Sequence, residues 1–204
     1  IHGVKAQQIG KMQIITQINF CFLLLQKAQQ IHDEKSHRDI LNLNLKDRLK
    51  HMALHFCKYV GNIVEAEFQE NSDAKIDKVL VDSLIICLAS ANAVNISLAH
   101  FAPQEAKLLA STSSFAKFLL SLETSHRSRE EFVKKMAILS GKMAKTMEST
   151  DHMEAGNPRE EMSALLPQMT FLVLTELARA GIAIEEKVHS RLLAIEKKSI
   201  FEGL

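Results

Sequence analysis

The chain has 204 residues, with seven glycines, three prolines, no tryptophan and a formal net charge of +1 from 25 basic and 24 acidic residues. Average usage would place roughly two dozen Gly and Pro in this length, so a barrel, a sandwich or a long linker is excluded. Hydrophobic residues at 47% and charged residues at 24% exclude a disordered chain. Near-neutrality leaves no basic footprint for duplex nucleic acid, which is therefore not an expected partner. The expectation is an all-α bundle.

The first helix is expected from about Met12 to about His32, with Ile14, Ile18, Cys21 or Phe22, and Leu25 at helical spacing. Residues ahead of Met12 are read as either a non-native remnant or an arm. Lys5 and Lys11 before this apolar stretch faintly resemble a signal peptide, but Gln13, Thr16, Gln17 and Asn19 interrupt it and no small-residue cleavage pattern follows. The most apolar internal stretch, Leu84 to Ala91, falls far short of the ~20 residues a membrane span needs. A soluble, cytoplasmic protein without a membrane partner is expected. Cys21, Cys57 and Cys87 are few, odd in number and set among apolar neighbours, as expected of reduced, buried thiols.

Asn44, with Asp47 three residues on, opens a second helix running to about Gln69. Leu49, Met52, Phe56, Val60 and Ile63 form its apolar face, and His51, His55, Lys58, Asn62 and Glu65 its polar face. His51 and His55 stand one turn apart, as zinc ligands can, but no glutamate follows His51 and no third ligand is in view, so a solvated face is expected.

The turn Glu70–Asp73 leads into a third helix to Val94, stopped by Asn95 in a left-handed conformation. Its middle is apolar all round except for Asp82, and a carboxylate there must be paired or functional. A shorter helix follows from about Thr112 to Leu122. Ser128 and Glu131 form a capping box ahead of the stripe Phe132, Met136, Leu139, Met143 and Met147. A loop spans Asp151 to Gly156, and Asn157-Pro158 then opens a helix that stops at Gly181, with Pro167 expected to kink it. The last helix carries Ile184, Val188, Leu192 and Ile195, with Lys197 and Lys198 in its final turn. Met136, Met143, Met147, Met153, Met162 and Met169 read as adaptable core filling.

Setting Gly61 on Gly141 aligns Tyr59–Ile63 with Leu139–Met143, and the stops Asn95 and Gly181 then follow equivalent apolar helices. Two copies of one helical unit are expected, at 1–104 (with the N-terminal helix) and 105–204.

The stretch Lys58-Tyr59-Val60-Gly61-Asn62-Ile63-Val64-Glu65-Ala66, then Val79 to Ile85 around Asp82, then Ala91-Asn92-Ala93-Val94-Asn95-Ile96, resembles MazG-type nucleoside triphosphate pyrophosphohydrolases. The resemblance covers about forty residues closely and the second half more loosely, at Gly141 and Leu177–Ile182. It implies two fused MazG-like four-helix units, an intramolecular pseudo-dimer that associates into homo-oligomers. It also implies cleavage of a (d)NTP to the monophosphate and pyrophosphate on Mg²⁺, which paired acids hold in that family. Carried onto this chain, the acid positions fall on Tyr59, Asn62, Val79 and Asp82, so only Asp82 keeps its carboxylate, with Glu65 as an accessory acid. In the second copy Leu139, Lys142, Leu165 and Gln168 retain none.

Asp82 and Glu65 are thus the candidate catalytic residues and Mg²⁺ ligands of a weakened site, with His55, Lys58, Asn62 and Lys78 as candidate substrate-binding residues. Two readings of Asp82 stand. It forms a salt bridge to Lys78 or Lys58, or it joins Glu65, Asn62 and His55 in a metal or anion site where Lys58 and Lys78 meet phosphate directly. The competing function class is a catalytically silent helical module that binds a nucleotide or protein.

Overall fold

A computed structural model describes residues 2–69, 72–152 and 154–198, with side chains of the first helix described at 17, 18 and from 21 onward. The described residues are helical with no strand. They form α1 (His2–Ser36), α2 (Arg38–Leu41), α3 (Leu45–Glu67), α4 (Asp73–Val94), α5 (Thr112–Ser121), α6 (Arg129–Asp151), α7 (Pro158–Arg179) and α8 (Ile184–Glu196). Two short 3-10 turns, Leu98–Phe101 and Gln104–Leu108, join α4 to α5.

The local signals act where the residues stand. The Asn44 side chain accepts from the Asp47 amide, Ser128 and Glu131 close a reciprocal capping box, and Asn157 accepts from the Glu160 amide ahead of Pro158. Asn95 (φ 58°) and Gly181 (φ 70°) are the two positive-φ residues among those described. In both, the next amide reaches back across the stop, from Ile96 to the Ala91 carbonyl and from Ile182 to that of Leu177, each at 3.0 Å.

Packing then closes a ring of four helices: α3 lies against α4 and α6, and α7 lies against α4 and α6. Leu84, Leu88, Met136, Met143, Leu166, Met169 and Val173 fill its centre, fully buried. Unbranched methionines suit such irregular gaps; Met153 lies outside the described residues. Outside the ring, α1 and α8 cover α4, and α5 covers α7. No helix among the described residues is long and apolar enough to cross a membrane.

Several expectations need correction. The first helix begins at His2, ahead of Met12, and continues past His32 to Ser36, where polar residues are packed rather than solvated. Gln26, Gln29, Asp33 and Ser36 repeat at helical spacing and are all buried. The short α2 that follows was not foreseen. Ser72 makes no capping hydrogen bond, and Glu70 and Asn71 lie outside the described residues. Only Cys87 of the three free thiols is buried; Cys21 is half-buried, and Cys57 is exposed on the outer side of α3. The α8 helix ends at Glu196, one residue ahead of Lys197.

The two glycines aligned above make a pair of opposite expectations. Gly141 lies in α6 with open space where a Cβ would stand, so Gly141→Ala should stabilise by about 0.5–1 kcal/mol. Gly181 has equal room but a positive φ, so Gly181→Ala should cost about 1–2 kcal/mol. Denaturant unfolding of both variants checks the pair.

Candidate functional site

The polar face of α3 is only partly solvated. A cavity of about 370 Å³ opens between α1, α2, α3, α4 and α8, and His51, His55, Lys58, Asn62 and Asp82 line it together with Tyr59 and Arg191. Its other end is formed by His32, Asp33 and His37, at the junction of α1 and α2. A smaller groove, lined by Asn62, Glu65, Lys75, Lys78 and Asp82, continues along α3 and α4. Asn62 and Asp82 therefore share the wall between the two, and all six candidate residues from the sequence border one or the other.

Their partners differ from those expected. Neither Lys78 nor Lys58 pairs with Asp82. Arg191 of α8 does, its Nε donating to Oδ1 at 2.5 Å and its Nη2 to Oδ2 at 3.0 Å. A planar guanidinium satisfies both carboxylate oxygens at once, which a point-like ammonium cannot. The pair is mostly shielded, with the Asp82 side chain 15% and the Arg191 side chain 25% exposed. Lys58 is directed elsewhere: its Nζ lies 3.0 Å from His55 Nδ1 and 4.8 Å from the Tyr59 ring centre. Glu65 and Lys78 are exposed.

His51 and His55 likewise depart from the solvated face expected of them. An ammonium can only donate, so Nδ1 of His55 is an acceptor and its Nε2 carries the proton towards His51 Nε2, 3.0 Å away. The Tyr59 hydroxyl lies 3.3 Å from the same Nδ1. Burial, reinforced by Lys58, His51 and His37 against the single attraction of Asp82, pulls His55 down to about 4. His51 is lowered too, by burial first and then Lys58. The Tyr59 phenol is raised, chiefly by burial.

The histidines at the other end were not singled out from the sequence. Among the described residues, one group of three or more side chains is spaced to share a metal ion: His32, Asp33 and His37, with one ligand atom from each within 4.8 Å of the others. Asp82 and Glu65 belong to no such group. The signal available was Asp33 and His37 one helical turn apart beside His32, but His32 was placed at the helix end. Arg191 left no local signal, since it stands 109 residues from its partner.

A second cavity lies between α6 and α7, bordered by Lys135, Ile138, Leu139 and Lys142 on one side and Gln168, Phe171, Leu172 and Thr175 on the other. Glu123 and Arg127 line its rim. Comparison with known protein families, with curated proteins and with solved structures finds no match for this chain.

The lowered histidine sets a pH dependence. Between 6.5 and about 4 His55 takes up its proton in the unfolded chain before it does so in the folded one, so stability falls as pH falls through that window. His51 and His32 act in the same sense, while Asp33, raised by burial, opposes them where it titrates. Melting temperatures from pH 7 to pH 4 should fall steeply in the parent and less steeply in His55→Gln.

Proposed function

We propose that the protein is a bundle of two fused MazG-like units whose first cleft binds a nucleotide without hydrolysing it. The observation that carries this is the Arg191 fork on Asp82. The one acid kept from the family's four positions has both oxygens engaged by a cation of its own chain. The donor set does not fit Mg²⁺, which wants several free oxygen ligands. Glu65 is the other acid in reach, and Lys58, Lys78 and Arg191 surround the pair with positive charge.

The paired cavities support the two-unit reading. With Gly61 set on Gly141, His55, Lys58, Tyr59 and Asn62 correspond to Lys135, Ile138, Leu139 and Lys142, and each of these four borders the second cavity. With Asn95 set on Gly181, Asp82, Ile85, Ile86 and Ala89 correspond to Gln168, Phe171, Leu172 and Thr175, which border it too. Each set repeats at i, i+3, i+4 and i+7, one helix face, so the agreement amounts to one shared register on each of the two helix pairs.

The first cavity, about 370 Å³, has the size of a small-molecule site. Lys58 and the remaining Nη1 of Arg191 supply donors for phosphate oxygens, while Ile85, Ile86 and Met52 offer an apolar wall for a base.

A panel of NTPs and dNTPs, each with Mg²⁺ or Mn²⁺, tests the reading by melting temperature and by pyrophosphate release. At least one nucleotide should raise the melting temperature with no pyrophosphate formed. Lys58→Ala should weaken binding roughly tenfold, the loss of one charge-assisted hydrogen bond of about 1.5 kcal/mol. Pyrophosphate release that Asp82→Asn abolishes would restore the hydrolase, and no shift with any nucleotide would remove the ligand class.

A further inference from the structure

The α1 face that packs on α4 is polar, and its groups are held in a fixed order. Asn92 of α4 donates through Nδ2 to the Gln26 carbonyl and to Gln29 Oε1, both at 2.8 Å. Gln29 in turn donates to Asp33 Oδ2 at 2.5 Å. Asp33 is 7% exposed and has no ion pair among the described residues. Beside it His32, 2% exposed, lies with Nδ1 3.2 Å from Glu196 Oε1. A carboxylate accepts only, so Nδ1 carries the proton and Nε2 keeps its lone pair. His37 stands at the non-helical joint between α1 and α2 (φ −135°, ψ 44°), half-buried, its ring 5.3 Å from that of His32.

We propose that His32, Asp33 and His37 bind one divalent late first-row metal ion of the zinc class, with Glu196 orienting His32 and Gln29 orienting Asp33. Two imidazoles and one carboxylate are ligands such an ion favours over Mg²⁺. A carboxylate behind a ligating histidine, and an amide behind a ligating carboxylate, are the outer supports that metal sites need. Tetrahedral bonds of 2.0–2.1 Å place ligand atoms about 3.3 Å apart. The three ligand atoms lie within 4.8 Å of one another and must draw together on a metal; His37 is the one ligand outside a helix. His32, Asp33 and His37 line the same cavity as His51 and His55. Arg48 of α3 adds positive charge near Asp33, and its buried Nε has no hydrogen-bond partner. The Asp33 carboxylate offsets it.

The site is independent of the nucleotide reading, since none of its ligands belongs to the family motif. Chelator-treated protein titrated with Zn²⁺ by calorimetry should take up one equivalent, and Co²⁺ should give visible d–d absorption of tetrahedral character. His37→Ala, at the joint between α1 and α2, should abolish both. Glu196→Gln should weaken affinity by about ten- to a hundredfold while keeping the Co²⁺ spectrum. His189→Ala, on the exposed side of α8, should change neither. Absence of Zn²⁺ uptake in the parent, or uptake unchanged in a His37→Ala variant with intact helical circular dichroism, would overturn the site.

Discussion

The guanidinium of Arg191 on the carboxylate of Asp82 ties the last helix to the most buried one, and the site takes its character from that pair. Asp82 stands in the apolar middle of α4, where an unpartnered charge would cost several kcal/mol. Its partner arrives from α8 and becomes part of the cavity wall. Lys58 is then left to His55 and Tyr59, His55 is held neutral by burial and by that ammonium, and the cleft presents donors around Asp82.

The two cavities carry different chemistry. The one between α1, α2, α3, α4 and α8 holds imidazoles, Asp82 and Arg191, and the one between α6 and α7 holds Lys135, Lys142 and Gln168. Fold alone assigns no activity to either. The first also extends to the α1–α2 junction, where the buried network from Asn92 through Gln29 to Asp33 sets a second group of polar side chains against it.

Most of the fold was legible because its signals are local. The Asn44, Ser128 and Asn157 caps, the stops at Asn95 and Gly181, and the stripe from Phe132 to Met147 each depend on residues a turn or two apart. The cleft was legible in part: α3 and α4 do bring Asn62 to Asp82. What escaped depends on separation in the chain or on burial of polar groups. Arg191 meets Asp82 only once α8 folds back. The stripe Gln26, Gln29, Asp33 reads as a solvated face until Asn92 and Ile96 are seen to satisfy it. His51 and His55 read likewise until α1, α2 and α8 enclose them.

A double-mutant cycle on Asp82→Asn and Arg191→Gln, followed by urea unfolding, weighs the central pair directly. A shielded, bidentate pair should show a coupling of about 1–3 kcal/mol, with each single variant destabilised by more than the double variant's share. Additivity within about 0.5 kcal/mol would mean that Asp82 and Arg191 do not hold one another, and the wall of the cavity would have to be redrawn.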